Sequence, residues 1–130
     1  ALRHASPGPQ RSALVLRLGA LAARLKRWRE AVRAFQDVLA ANAPGSPAWE
    51  AARARLAEVI AAAGRGPYVE FDRAADEALR RGDLSAVLAR YPNSLAAPKA
   101  LWSLAHAAQA EGRGDEARLR LGELARGEER

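Results

Sequence analysis

Small residues recur at identical spacing in two regions of the chain that lie far apart. Gly19 and Ala31 are separated by 12 residues, and so are Ala105 and Ala117, which lie 86 residues further along. Two antiparallel helices joined by a tight turn approach closely only where small side chains meet, so this spacing predicts two similar helical hairpins. The matching packing positions are Gly19, Ala22, Ala31 and Phe35 in the first copy and Ala105, Ala108, Ala117 and Leu121 in the second.

Composition and periodicity favour helices along the whole chain. Alanine and leucine are abundant, whereas aromatic residues make up only 5%, and this balance favours helix over strand. Segments with a helical apolar period alternate with stretches rich in glycine and proline. We therefore predict an all-α fold of about seven helices in antiparallel pairs. The predicted segments are 12–26, 28–42, 47–63, 68–81, 84–90, 94–111 and 116–126.

The periodicity also predicts which residues share a helix face. In the first helix one stripe consists of Leu14, Leu18, Leu21 and Leu25. The stripe of the second helix is Ala31, Val32, Phe35, Val38 and Leu39, and that of the third is Trp49, Ala52, Leu56, Val59, Ile60 and Ala63. In the fourth helix Tyr68, Phe71, Ala75, Ala78 and Leu79 should face inward. Helix-capping side chains are expected at Ser46, Asp83 and Ser94.

The repeated spacing resembles the tetratricopeptide repeat. The matching residues are Leu18, Gly19, Ala22, Ala31, Phe35 and Pro44. The early tryptophan of that pattern is missing, and the proline falls one residue late. The resemblance implies a superhelical solenoid of helix pairs. It places clear repeat units at 12–44 and 94–126 and a degenerate middle at 47–91, between a flexible linker (1–11) and a tail (127–130).

Two arrangements of the middle segment remain open. Ala75, Ala78 and Ala86 mimic the small-residue set with one residue deleted near Gly82, which would make a degenerate repeat. Alternatively, the third and fourth helices pair with each other, and residues 84–90 form a bridge.

Two longer stretches resemble bacterial proteins. "RYPNSLAAPKALWSLAHAAQAEGRGDEA" is similar to tetratricopeptide modules of the cell envelope, of the kind found in Tol-Pal-associated division coordinators and outer-membrane assembly lipoproteins. "YVEFDRAADEALRRGDLSAVLARY" is similar to helical regions attached to propeller proteins of the pyrroloquinoline-quinone-like class. These resemblances imply a bacterial protein and favour the cell envelope or periplasm over the cytoplasm.

Several classes of protein are disfavoured by what the chain lacks. There is no cysteine, which excludes disulfides and thiolate metal sites, and two histidines cannot form a histidine metal cluster. No run approaches the ~18 apolar residues of a membrane span. The first residue is Ala1 and methionine is absent, so either an initiator was removed or this is a piece of a longer protein, which we favour.

Four residues of the sixth predicted helix form the candidate binding groove. They are Lys99, Trp102, His106 and Gln109. They step by three or four residues and so share one face, which commonly lines the concave groove in tetratricopeptide proteins. Tryptophan is enriched at binding hot spots, so Trp102 would be the anchor. Core packing of Trp102 and a plain surface role for His106 are the alternatives.

A basic patch surrounds the first predicted turn between helices. It consists of Arg24, Lys26, Arg27, Arg29 and Arg33. Residues 1–66 carry 11 cations and 4 anions, whereas the rest of the chain is nearly neutral. The patch is either a solvated turn or a docking site for an acidic partner. We do not expect nucleic acid binding, because only Trp28 could stack on bases nearby.

No catalytic constellation emerges from the sequence. The acidic pairs Asp76-Glu77 and Asp115-Glu116 are adjacent, so their side chains diverge around a helix and make poor acid–base dyads. The segment "GRGP" lacks the spacing of a phosphate loop. Leu16 and Ala20 occupy the places where a carboxylate-clamp repeat needs polar residues. We therefore expect a non-catalytic binding module or scaffold without cofactor; the alternative is a structural spacer packed against another domain of its own chain, such as a β-propeller.

Overall fold

The structure is a computed structural model that describes residues 9–110, and all of its regular elements are helical. The α-helices are α1 (Pro9–Arg24), α2 (Trp28–Ala41), α3 (Pro47–Ala63), α4 (Val69–Arg80), α5 (Leu84–Arg90) and α6 (Ala97–Ala110), with a 3₁₀ turn at Gly66–Tyr68 before α4. The all-α prediction is confirmed for this part of the chain. The predicted helix 116–126, with Ala117 and Leu121, and the tail 127–130 lie outside the described residues.

Two predicted boundaries are wrong. Helix α1 begins at Pro9, so the last three residues of the predicted linker are helical. Helix α6 begins at Ala97, because Ser94 does not act as its cap. The Ser94 hydroxyl instead donates to the carbonyl of Tyr91 at 2.7 Å and closes a separate turn. The caps at Ser46 and Asp83 are confirmed, since each side chain accepts a backbone N–H of the following helix.

The core faces of α2, α3 and α4 are those that the periodicity predicts. All five stripe residues of α2 are buried, and Phe35 is 1% exposed at the centre of the larger cluster. In α3 the buried residues are Trp49, Ala52, Leu56 and Val59. In the 3₁₀ turn and α4 they are Tyr68, Ala75 and Ala78, with Phe71 and Leu79 partly buried.

The close approach of α1 to α2 occurs at Gly19. A Cβ atom built there would lie 2.7 Å from Cε1 of Phe35 and 3.1 Å from Cβ of Ala34. Ala31 is fully buried, but it does not supply any of the three atoms nearest to Gly19. A close contact therefore occurs at Gly19, but its partners are Phe35 and Ala34, about one turn further along α2 than the predicted Ala31, because the Phe35 ring lies over the glycine.

The leucine stripe of α1 does not face the core. Leu14, Leu18, Leu21 and Leu25 are 54%, 54%, 48% and 59% exposed. The residues that α1 packs inward are instead small or β-branched except for one leucine, namely Ser12, Val15, Leu16, Gly19, Ala22 and Ala23. Both faces of α1 are apolar, and the face with the smaller side chains is buried because it lets α2 come closer.

The turn between α1 and α2 is a Schellman motif. The amide of Arg27 donates to the carbonyl of Ala22 at 2.8 Å, and that of Lys26 donates to Ala23 at 3.0 Å. Lys26 adopts a φ of 60°, the one positive φ at a non-glycine residue within 9–110. These bonds satisfy carbonyls at the end of α1 and reverse the chain within three residues.

The turn between α4 and α5 repeats this geometry. The amide of Asp83 donates to Ala78 at 2.9 Å, and that of Gly82, which has a φ of 80°, donates to Leu79 at 3.0 Å. The backbone of Asp83 has φ −87° and ψ 71°, close to the values of −90° and 74° at Arg27. The turns of the two hairpins thus contain the same two backbone hydrogen bonds.

Because the two turns are equal, the hairpin of α4 and α5 aligns with that of α1 and α2 without an insertion or a deletion. Lys26 and Gly82 are 56 residues apart, and the same offset aligns Ala31 with Val87. Val87 is fully buried, whereas Ala86 is only partly so. The predicted deletion in the middle segment is therefore wrong, because the buried residue that corresponds to Ala31 is Val87 and not Ala86.

Helix α3 lies between the two hairpins and belongs to the first. It packs against α1 and α2, while α4 packs against α5, and α5 against α6. The proposed pairing of α3 with α4 is thereby contradicted. The end of α5 joins the two parts: Nε1 of Trp49 donates to the carbonyl of Ala89 at 2.8 Å, and the amide of Gln36 donates to that of Arg90.

Tyr68, which directly precedes α4, makes the free energy of unfolding depend on pH in the alkaline range. It is fully buried, and its hydroxyl has no hydrogen-bond partner among the residues that the structure describes. Burial raises the pKa of Tyr68 above its usual value, because it disfavours the phenolate. The unfolded chain therefore loses its proton first as pH rises past about 10, and the folded state loses stability from that point upward.

We expect Tyr68→Phe to remove this alkaline loss. At neutral pH it should raise the free energy of unfolding by about 1 kcal/mol, because an unpaired buried hydroxyl is removed. The difference from wild type should widen above pH 10. Urea unfolding at pH 7 and pH 11 measures both effects, with Tyr91→Phe, a less buried tyrosine, as the control. Parallel pH profiles for wild type and Tyr68→Phe would contradict the assignment.

Candidate protein-binding surface

Helix α6 separates a buried alanine face from an exposed polar and aromatic face. Its buried residues are Ala97, Ala100, Ala105 and Ala108. The four residues predicted to line the groove are all exposed on the other side: Lys99, Trp102, His106 and Gln109. The structure thus brings the predicted set together on one surface, as the steps of three and four residues require. We call these four residues the α6 face.

Trp102 and His106 form a stacked aromatic pair at the centre of the α6 face. Their ring centroids lie 6.3 Å apart with an interplanar angle of 18°. Trp102 is 53% exposed, so core packing does not account for this side chain. A half-exposed indole offers a large apolar surface together with an N–H donor. The pair can therefore stack on an apolar or planar group, and Lys99, one turn earlier, can attract a carboxylate.

A turn at residues 91–94 precedes α6. Hydrogen bonds of Arg65, Asp72 and Asn93, which we call the clamp, hold this turn in place. The guanidinium of Arg65 donates two hydrogen bonds to the carboxylate of Asp72, at 2.8 and 2.9 Å, and a third to the carbonyl of Asn93 at 2.8 Å. The same carboxylate accepts the amide N–H of Leu95 at 2.9 Å. The side-chain amide of Asn93 donates to the carbonyl of Arg53 at 3.0 Å. Helices α3 and α4 thereby fix the direction in which α6 begins.

Electrostatics reinforce the clamp. The hydrogen bonds to Asp72 raise the pKa of Arg65 above its usual value, because they favour the charged guanidinium. The guanidinium carbon also lies 5.4 Å from the centre of the Tyr68 ring, within the range of a cation–π contact. The side chain of Asp72 is only 15% exposed, so this ion pair is better shielded from water than the other pairs of residues 9–110.

All five residues of the predicted basic patch are exposed around the Schellman turn: Arg24, Lys26, Arg27, Arg29 and Arg33. Two of them have carboxylate neighbours, since Arg27 lies 3.6 Å from Glu30 and Arg33 lies 3.8 Å from Glu70. The other three form no ion pair with any described residue. The patch therefore keeps a local excess of positive charge at the end of α1.

Residues 9–110 provide neither a metal-binding cluster nor a membrane-spanning helix. In the part of the chain that the structure describes, no group of three or more histidine or acidic side chains is placed to hold a metal ion. No helix between residues 9 and 110 combines the length and apolar character needed to cross a bilayer.

Sequence reasoning missed the clamp and the exposure of the α1 leucines. Arg65 and Asp72 are seven residues apart, which suggests a pair only once the 3₁₀ turn between them is known. Asn93 is brought to them from 28 residues away. The tyrosine-proline-asparagine-serine turn was a visible signal, but it did not reveal its partners.

Comparison of the chain with protein-family models, with curated proteins and with solved structures found no match. The resemblance to tetratricopeptide repeats therefore rests only on the residues quoted above.

Proposed function

We propose that this chain is a non-catalytic, tetratricopeptide-like interaction module or scaffold segment of a larger bacterial protein. In this proposal the helix pairs stack as a solenoid, and the α6 face binds a peptide or a protein domain in its concave groove. The resemblance to cell-envelope modules favours the envelope or periplasm. The single observation that carries the proposal is the 53% exposure of Trp102.

The proposal is supported by the binding energy that is gained when a ligand covers an exposed indole. Tryptophan buries more apolar area than most side chains when a ligand covers it, and hot spots concentrate in such anchors. The clamp on residues 91–94 fixes the helix that carries Trp102, so little ordering remains to be done on binding. Stacking on His106 further restricts the indole.

Selection from a random peptide display library against the full chain tests this function. Enriched peptides are expected to bind wild type and to lose roughly tenfold or more in affinity with Trp102→Ala, the loss typical of a hot-spot residue. Leu95→Ala is the matched control, because Leu95 is 62% exposed outside the α6 face and its removal should leave affinity unchanged. Calorimetry measures each affinity.

Two results would count against groove binding. Enriched peptides that bind Trp102→Ala as well as wild type would place the binding surface elsewhere. A library from which no peptide is enriched would favour the spacer, in which another domain of the same chain covers the α6 face.

A further inference from the structure

Helix α1 exposes a continuous apolar ridge that the α6 face does not include. The ridge consists of Leu14, Leu18 and Leu21 of α1 and of Leu25, each about half exposed, and we call it the leucine seam. Leu25 directly follows α1 and continues its hydrogen-bond pattern, since its amide donates to the carbonyl of Leu21 at 3.0 Å. It runs for about 16 Å along the helix at 1.5 Å per residue. Scattered apolar residues are normal on a protein surface, whereas contiguous exposed patches mark interaction sites.

The spacing of the seam is that of one strand of a coiled coil. Steps of four, three and four residues place the leucines at successive a and d positions of a heptad. At 3.6 residues per turn they fall within about 60° of the helix circumference. Such a narrow stripe fits the ridge of another helix, whereas helices that lie in a lipid surface present a broader apolar face.

One flank of the seam is basic. Arg17 directly precedes Leu18 and Arg24 directly precedes Leu25, and these leucines hold a positions, so both arginines occupy the g position of the heptad. Both are exposed, and neither forms an ion pair within residues 9–110. Residues 9–24 include no aspartate or glutamate at all, and Lys26 and Arg27 continue the positive charge beyond the helix.

We propose that the leucine seam docks an acidic amphipathic helix of another protein. Its leucine-type residues would interlock with the seam, and carboxylates beside them would face Arg17 and Arg24. Such charge complementarity selects the partner and its orientation. A second copy of this chain fits less well, because its α1 offers no carboxylate to either arginine in any orientation. This site lies on a different helix from the α6 face and does not depend on the function proposed above.

Two synthetic peptides test the proposal on the full chain. Each has about three heptads with leucine at a and d; one carries glutamate at e and g, and its twin carries lysine there. Fluorescence anisotropy should show binding of the glutamate peptide and at least roughly tenfold weaker binding of the lysine peptide. Leu18→Ala with Leu21→Ala should weaken the glutamate peptide by a similar factor, while the control Leu95→Ala should not.

Charge reversal at Arg17 and Arg24 provides a second and more specific test of the proposal. Arg17→Glu with Arg24→Glu should invert the preference, so that the lysine peptide binds more tightly than the glutamate peptide. All altered side chains are exposed, and an unchanged far-UV circular dichroism spectrum verifies that each variant is folded. Equal affinity for both peptides, or binding that survives the double leucine change, would overturn the proposal.

Two other occupants of the seam would also overturn it. Sedimentation equilibrium that shows a dimer of the full chain, lost in Leu18→Glu, would assign the seam to a second copy. Binding to vesicles of phosphatidylserine and phosphatidylcholine in equal parts, lost in the same variant while the glutamate peptide does not bind wild type, would assign it to a lipid surface.

Discussion

Gly19→Leu is expected to lower the free energy of unfolding by about 3 kcal/mol, at the upper end of the usual cost of overpacking a core. Even the first added carbon would lie 2.7 Å from the ring of Phe35, which is 1% exposed at the centre of the larger core cluster. The two helices of the first hairpin would have to separate. Urea unfolding monitored by circular dichroism measures the loss.

Two comparisons distinguish this clash from a general effect of leucine. Ala13→Leu introduces the same side chain on the exposed side of α1 and should change stability by less than about 0.5 kcal/mol. In a Phe35→Ala background, Gly19→Leu should cost much less, because the vacated space accepts the new side chain. An equal cost in both backgrounds would show that Gly19 and Phe35 are not in direct contact.

Removal of the clamp carboxylate should produce the second large effect. Asp72→Ala leaves the guanidinium of Arg65 and the amide of Leu95 without their acceptor. Loss of a partner from a buried ion pair costs about 3–5 kcal/mol, but the side chain of Arg65 is 34% exposed. Water compensates part of the loss, so we expect about 2 kcal/mol.

Asp76→Ala provides the matched control on the same helix. Asp76 pairs with Arg80 at 2.5 Å, but the side chain of Arg80 is 73% exposed, and such a pair contributes no more than about 0.5 kcal/mol. Asp72→Ala should also speed hydrogen exchange at the amide of Leu95, since this is the bond that fixes the start of α6. Equal stabilities for the two variants would refute the structural role of the clamp.

Much of the local structure could be predicted because short-range effects determine it. Proline and the capping side chains of Ser46 and Asp83 begin helices, and Gly64 and Gly82 allow the positive φ at which they end. The inward faces of α2, α3 and α4 were also predictable, since most of the large apolar side chains of each helix lie on one side.

The predictions were wrong where two faces of one helix, or two neighbouring residues, were both apolar. Helix α1 has a leucine face and a face of small residues, and only contact with α2 selects the latter for burial. In the middle segment, Ala86 and Val87 are both apolar neighbours, and the turn at Gly82 selects Val87 as the buried one.

The candidate surface shows the same division. The sequence predicted that Lys99, Trp102, His106 and Gln109 share one face, because helical spacing alone requires it. Whether Trp102 would be covered depended on which face of α6 packs against α5, and only the tertiary structure shows that this is the alanine face.

By itself, the sequence determined approximately where helices begin and end, because capping, glycine conformation and apolar period act within a few residues. Only the tertiary structure decided which face of α1 is buried, which residues clamp the start of α6 and which large apolar side chains stay exposed. Those outcomes depend on contacts between residues that lie far apart in the sequence. For α1, the close approach of Gly19 to Phe35 decides which face is buried, because α2 can come this close only to a small residue.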